Sequence, residues 1–247
     1  MAAHVLLDPK ILYGSADITG EHSSVRLRLS NKEAPADVFG NAAKTRLAGL
    51  PSWRLTHSGF WEAGTGTIDT DVLNGSGTTG KIVTVSGTGA SLADIAYSSK
   101  VMEAKWDIGG KVGDSNGFNG EMVGDGTKII RGTVLGSGAK TSTAAAASGS
   151  QLGAVSATQH VYGVLHVVAV AGDASQSLVV KIQSDDNAGF ISATDRITFS
   201  TVTDAVASEW ATPIDGAITD DYWRAYWTIA DGGAAVSFTI YVNVAIM

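Results

Sequence analysis

Apolar and polar residues alternate over most of this sequence, and the alternation is longest near the C-terminal end. There, apolar side chains occupy every second position from Val236 to Ile246, with Ser237, Thr239 and Asn243 among the residues between them. Successive side chains of a β-strand point to opposite faces of a sheet, so a period of two is typical of a strand with one buried face. This pattern favours an all-β fold in which sheets bury their apolar faces against each other.

The same period recurs in other segments. In residues 25–29, Val25, Leu27 and Leu29 alternate with Arg26 and Arg28, which predicts a half-buried strand with a cationic outer face. Residues 178–183 and 222–229 alternate in the same way, and the latter pattern places Trp223 and Trp227 on an inward face. Runs separated by Gly, Asn, Asp and Ser predict further strands at residues 53–61, 82–86, 101–108, 129–135, 161–170 and 197–202. Strands at this spacing indicate a β-sandwich or barrel.

Helix signals are few and short. Ser91 followed by Asp94 resembles a capping box, which predicts one short helix over residues 91–98. Residues 37–48 could hold another turn or two. Neither segment is long enough to organise the fold.

Charge divides the chain unevenly. Its 247 residues include 17 basic and 24 acidic side chains, a net charge of -7. Residues 1–148 hold 14 of each sign, whereas residues 149–247 hold 3 basic and 10 acidic ones. The small residues of segment 137–150 (SGAKTSTAAAASGS) predict a linker or surface loop between two domains, at residues 1–148 and 149–247.

Composition also excludes several classes of protein. The chain has no cysteine, so disulfides, zinc knuckles and thiol nucleophiles are excluded. An excess of acid argues against wrapping nucleic acid, whose affinity depends on Lys and Arg at phosphates. The longest apolar run, residues 161–172, is too short to span a bilayer, so we expect no membrane partner. The N-terminal residues His4, Asp8 and Lys10 interrupt any signal-peptide pattern.

Three motifs invite a chemical interpretation, and each has a simpler one. Residues 75–81 (GSGTTGK) approach a phosphate-binding loop, but Ile82 follows the Lys where Ser or Thr is needed, which favours a turn. Residues 113–121 are oxygen-rich like a calcium loop, but Phe118 occupies a ligand position, so we interpret them as a strand connection. Acidic residues near Trp210 and Trp223 could suggest the carboxylate pair of a glycoside hydrolase, but we interpret these aromatic and acidic residues as core and turn residues. We therefore predict no catalytic, metal or cofactor site and no enzymatic activity.

Ordered segments of the sequence resemble the tail tube proteins of long-tailed, siphovirus-like bacteriophages. In the first part of the chain they are residues 14–20 (GSADITG), 25–29 (VRLRL), 37–40 (DVFG), 46–50 (RLAGL) and 53–61 (WRLTHSGFW). In the second part they are residues 177–183 (SLVVKIQ), 195–199 (DRITF), 222–227 (YWRAYW) and 236–240 (VSFTI). The resemblance covers residues 14–61 and 160–246.

This resemblance implies a structural virion protein, made in the host cytoplasm, that forms rings with its own copies and stacks them into a tail tube. The rings would be six-fold, or trimers of a chain that supplies two tube-like parts. The tube would meet other tail proteins and conduct DNA without binding it specifically. The family fold implies a barrel with one helix, at residues 91–98, and a long loop, at residues 30–50, that reaches the next ring.

The resemblance and the residues together nominate two surfaces. Within residues 31–50, the apolar residues Val38, Phe39, Leu47 and Leu50 are candidates for the contact between rings, with Phe39 as the main anchor. The second surface is acidic, on the outside of the tube or in its lumen, and comprises Asp185, Asp186, Asp220 and Asp221.

Two alternatives remain open at this point. A capsid decoration or head–tail joining protein would share the β architecture. A carbohydrate-binding β module would instead expose Trp210 or Tyr226 on a shallow face.

Overall fold

The fold is all-β, as the alternation predicts, in a computed structural model that describes residues 8–35, 46–64, 67–146, 148–172, 175–230 and 235–247. In chain order the strands are β1 (Lys10–Tyr13), β2 (Ala16–Asp17), β3 (His22–Pro35), β4 (Arg46–Phe60), β5 (Lys81–Ser86), β6 (Ile95–Gly109), β7 (Gly117–Gly124), β8 (Ile130–Lys140), β9 (Ala144–Ala145), β10 (Ser150–Gln151), β11 (His160–Ala171), β12 (Ser177–Asp185), β13 (Thr194–Thr198), β14 (Ala207–Trp210), β15 (Ile214–Asp215), β16 (Tyr222–Ala230) and β17 (Ser237–Ile246). A 3₁₀ turn at Thr19–Glu21 and a short π-helical segment at Asp69–Leu73 complete the regular elements. No helix in the described part of the chain is long and apolar enough to cross a membrane.

The chain divides into two compact units. Unit 1 comprises residues 1–19, 82–98 and 130–247, and unit 2 comprises residues 20–81 and 99–129. These bounds differ from the boundary predicted between residues 148 and 149, because β8 pairs along most of its length with β17, placing Val134 opposite Asn243. Residues 137–150 are not a linker: they end β8, form β9 and begin β10, and the two short strands pair with β16.

Unit 1 contains two sheets with a core between them. The larger sheet has the order β14-β11-β17-β8-β6-β5-β1-β2, and the smaller has the order β10-β16-β12-β13. Trp223 and Trp227 lie in this core, as the alternation predicts, and their indole N–H groups donate to the carbonyl oxygens of Gly153 and Ser142. Both polar atoms are thereby satisfied, so the rings can be buried without the loss of a hydrogen bond.

In the pairing of β17 with β8, Val242 lies opposite Gly136 and Asn243 opposite Val134, so β8 bulges at Leu135 while β17 continues its alternation. Beyond the bulge the strand is buried on both faces, with Asn243, Val244 and Ala245 all inaccessible. The amide of Asn243 donates to the Ser98 hydroxyl at 2.9 Å, which gives this buried polar side chain a partner. A period of two could not predict this burial, because alternation assigns side chains to a face but does not show whether other residues cover that face.

The helix predicted at residues 91–98 is wrong. The side chain of Asp94 accepts a hydrogen bond from the Ser91 backbone at 2.8 Å, as a capping box would suggest, but it closes a turn before β6 begins at Ile95. The helical segment lies instead at Asp69–Leu73. Ala93 has a φ of 72°, in the left-handed region, and such a residue cannot continue a right-handed helix.

Candidate assembly interface

Unit 2 is built on a four-stranded antiparallel sheet with the order β3-β4-β7 followed by the later part of β6. β3 and β4 form a long hairpin. In β4 the alternation is strict, with Trp53, Leu55 and His57 buried and the residues between them exposed, whereas in β3 Val25 and Leu27 are only half-buried. Within the described residues, β3 pairs only with β4, so its outer edge has no strand partner. Among the described residues, the outer edge of β6 in unit 2 has a single isolated bridge, from Ser76 to Glu103.

Beneath the sheet, a chain of buried polar side chains links its four strands. His22 Nε2 lies 2.8 Å from His57 Nδ1, and His57 Nε2 lies 3.4 Å from Glu103 Oε1. Glu103 Oε1 also accepts the backbone N–H of Glu121 at 3.0 Å. This set of side chains was not identifiable in the sequence, where His22 and His57 are 35 residues apart; the hairpin register brings them together. No group in the described chain has the geometry of a metal site.

One end of the hairpin exposes apolar side chains beside a groove of about 520 Å³. Leu50 is 88% exposed and Leu29 is 58% exposed, and both line the groove together with Trp53 and Val123. Leu29 therefore does not occupy the buried position that its alternation with Arg28 predicts. Exposed apolar residues that cluster around a groove are typical of a binding surface for another protein.

The four residues nominated for the contact between rings have different positions. Val38 and Phe39 lie outside the described residues. Leu47 lies in β4, and Leu50 follows it on the same strand. The segment 30–50 is a loop only in part, because residues 30–35 belong to β3 and residues 46–50 to β4.

The four nominated acids lie in unit 1, near the start of β16 and the end of β12. Asp185 is buried and caps a turn by accepting the backbone N–H groups of Asn187 at 2.9 Å and Ser192 at 2.8 Å. Asp186 is exposed beside it. The main-chain carbonyl oxygen of Asp221 accepts the backbone N–H groups of Leu152 and Gly153, which follow β10. Asp185 is therefore a structural residue, not part of an open acidic surface.

The electrostatic surroundings of these acids follow from their partners. Burial alone would raise the pKa of Asp185, but the N–H groups of Asn187 and Ser192 outweigh it and hold that pKa below its usual value. A hydrogen bond shared with Asp185 raises the pKa of Asp186. Asp220 accepts from the Ser184 hydroxyl at 2.5 Å and from Arg196 Nη2 at 2.8 Å, and both contacts lower its pKa. One of the four acids is thus already neutralised by an arginine.

The aromatic residues named for sugar binding have structural partners. Trp210 packs against Ile82, Ile130 and Val164, and its ring meets Tyr162 edge-on at 6.3 Å between centroids. Residues 113–121, considered for calcium, enter β7 at Gly117, and Phe118 is buried.

No protein-family model matches this chain, and no curated protein matches it. Several solved structures are similar to it. One is a chain in the virion of a native gene transfer agent particle, with a TM-score of 0.41 and 12% identity over 52% of this chain and 98% of that chain. A chain in the sheath/tube terminator of an extracellular contractile injection system, PVC, has a TM-score of 0.42 and 15% identity over 52% and 97%. The Dit protein of phage SPP1, described as a hub of the adsorption apparatus, has a TM-score of 0.36 and 9% identity over 97% and 99%. These solved structures belong to a virion, a contractile injection system and a phage adsorption apparatus.

Proposed function

We propose that this chain is a structural subunit of a phage-type tail and that its copies join through unit 2 into rings that stack as a tail tube. The observation that carries this proposal is the four-stranded sheet of unit 2, which leaves a long strand edge on β3 and another on β6. An unpaired strand edge is a template for pairing with a strand of another chain.

The strand directions are compatible with a closed ring. The four strands alternate in direction, so β3 and β6 of unit 2 run antiparallel to each other. When copies are related by rotation about a ring axis, β3 of one copy would therefore meet β6 of the next in antiparallel orientation. Every junction would repeat the pairing found inside the subunit, and a closed barrel would leave no edge exposed.

Stacking requires a second contact along the tube axis, and we assign it to the end of the hairpin. This proposal retains Val38, Phe39, Leu47 and Leu50 as the contact between rings. Leu50 supports it because a side chain 88% exposed beside an apolar groove gains most from being covered. DNA would pass through the resulting bore without sequence-specific contacts.

Electron microscopy of the concentrated protein tests this proposal. We expect rings and tubes from the unaltered chain, and far fewer and shorter tubes from Leu50→Ser. Losing an interface anchor typically weakens each contact by about 2 kcal/mol, or roughly thirtyfold. The matched control is Ile191→Ser, since Ile191 is 85% exposed but lies in unit 1. Tubes of equal length and number from Leu50→Ser and Ile191→Ser would remove the hairpin end from the contact between rings.

A further inference from the structure

The exposed face of the unit 2 sheet is hydrophilic across all four strands. Its residues share one face because the cross-strand register places them opposite one another in rows. The rows are Phe60–Gly117–Gly109, Ser24–Ser58–Asn119–Asp107, Arg26–Thr56–Glu121–Lys105, Arg28–Arg54–Val123–Met102 and Ser30–Ser52. We call this the arginine face.

Like charges lie directly opposite each other on the arginine face. Arg28 pairs with Arg54 in the β3–β4 register, and Arg26 precedes Arg28 on the same side of β3. Like charges in opposite positions destabilise a strand pair, so a folded chain that retains them has unfavourable electrostatics there unless an anion is present. Glu121 offsets one of them, with its carboxylate 2.8 Å from Arg54 Nη1. Arg26 and Arg28 form no ion pair within the described part of the chain.

The distribution of charge between the units makes this face distinctive. Unit 2 contains 11 basic and 11 acidic residues, which leaves 6 basic and 13 acidic ones in unit 1. The net charge of -7 therefore belongs entirely to unit 1. The arginine face holds four basic residues (Arg26, Arg28, Arg54 and Lys105) and two acidic ones (Glu121 and Asp107), so it has a net positive charge on a chain that is acidic overall.

The other side chains of the arginine face indicate the chemistry of its ligand. Most are hydroxyl and amide groups, such as Ser24, Thr56 and Asn119. The apolar residues lie towards the two ends of the face, with Val123 and Met102 at one end and Phe60 at the other. Protein interfaces depend on aromatic and aliphatic anchors clustered at their centre, whereas the centre of this face, the row from Arg26 to Lys105, is polar and charged. Arg, Lys, Ser, Thr and Asn are the side chains that contact nucleic-acid phosphates without reading sequence.

We propose that the arginine face binds the phosphate backbone of double-stranded DNA, weakly and without sequence preference, through Arg26, Arg28 and Arg54. The proposal rests on the proposed function for the source of the DNA, the genome in transit. Copies related by rotation about a ring axis present this face on the same side of the barrel, so the arginines of successive copies would form a continuous cationic band.

The test is fluorescence anisotropy of a labelled 24-base-pair DNA duplex titrated with the full chain at 50–200 mM salt. Three phosphate contacts would give a log–log salt slope of about -2.7, so the affinity should fall about fortyfold over this range. In Arg26→Gln/Arg28→Gln, one contact remains, and the slope should be about -0.9, with a fall of about threefold. Arg26→Lys/Arg28→Lys, which retains the charge, should keep most of the slope.

The matched control is Lys111→Gln/Arg131→Gln, which removes the same charge from exposed positions off the arginine face. It should bind DNA like the unaltered chain. Equal losses in both double variants, or no binding by the unaltered chain at 50 mM salt, would overturn the proposal. Light scattering on the same samples tests whether the face contacts another copy of the chain. If Arg26→Gln/Arg28→Gln changes the oligomer size but not the affinity for DNA, the face is a contact between copies and the proposal fails.

The proposal can fail independently of the proposed function. Tubes that form normally but do not bind DNA would reject the arginine face and leave ring assembly standing. DNA binding by a chain that never assembles would reject ring assembly and leave the arginine face standing.

Discussion

The buried side chain of His166 is held in unit 1 by a series of hydrogen bonds. Its Nδ1–H donates to the carbonyl oxygen of Gly14 at 2.6 Å, which leaves Nε2 to accept from the Thr84 hydroxyl at 2.8 Å. Thr84 in turn contacts Ser98, which accepts from Asn243. The sequence predicts a packed histidine here from its place on an apolar strand, but not the residues that satisfy it.

This arrangement suits only the neutral imidazole. Burial lowers the pKa of His166 to about 4, although its hydrogen bond to Gly14 opposes that shift. The unfolded chain therefore binds more protons than the folded one between about pH 4 and pH 6.5, so stability rises with pH across this window. We expect the free energy of unfolding to be about 3 kcal/mol lower at pH 4 than at pH 7 from this residue alone.

Denaturant unfolding at half-unit pH steps measures the effect. His166→Gln should lower stability at pH 7 and flatten the slope between pH 4 and pH 6.5. His160→Gln serves as the control, because the His160 side chain is half exposed beside Asp215. A slope that persists in His166→Gln and disappears in His160→Gln would contradict this assignment.

At the scale of elements, the strands that alternate cleanly are predictable and the others are not. β12, β16 and most of β17 follow from their period of two, because each has one face in the core of unit 1. β7 does not, since Gly117, Gly120 and Gly124 are poor strand formers by themselves. Tertiary packing makes it a strand, and the large side chains of His57 and Trp53 on β4 explain the glycines at positions 120 and 124.

Gly120 is the clearest of these positions. A Cβ added there would overlap the ring of His57 and lie 2.9 Å from Glu103 Oε1. Because His57 and Glu103 are both buried, neither can move into solvent to make room. The glycine is therefore required by residues on β4 and β6, which the sequence of β7 alone does not reveal.

We expect Gly120→Ala to destabilise the protein by about 1–3 kcal/mol through overpacking. Gly109→Ala is the matched control on β6, because a Cβ there meets nothing within 4 Å. Thermal melting of both variants measures the difference. If Gly120→Ala melts at the same temperature as Gly109→Ala, the close packing around His57 does not stabilise unit 2.

At the scale of the whole molecule, the sequence places the excess of acid in residues 149–247, and all of these residues belong to unit 1. Two of the four acids proposed for an acidic surface already have partners within the chain, because Asp185 caps a turn and Asp220 pairs with Arg196. The sequence ranks Phe39 first among the candidate contact residues, but it does not predict that Leu50 and Leu29 are exposed, since their exposure depends on the hairpin. Periodicity indicates which residues share a face but not whether another layer covers that face.

Ring closure through the edges of β3 and β6 is the central claim, and the absence of cysteine from the chain allows a direct test. Ser24→Cys on β3 is combined in turn with Lys105→Cys, Asp107→Cys or Gly109→Cys on β6. Within one copy the two strands are separated by three strand spacings, or roughly 14 Å, whereas a disulfide requires Cβ atoms about 4 Å apart. Any disulfide between these positions must therefore join two copies.

Non-reducing electrophoresis after mild oxidation is the deciding measurement. For at least one of the three pairs, we predict a ladder of linked copies that ends at the number of subunits in a ring and collapses to monomer on reduction. Each single-cysteine variant should stop at a dimer. Monomers alone from all three pairs, at concentrations where the unaltered chain assembles, would contradict closure through these strand edges.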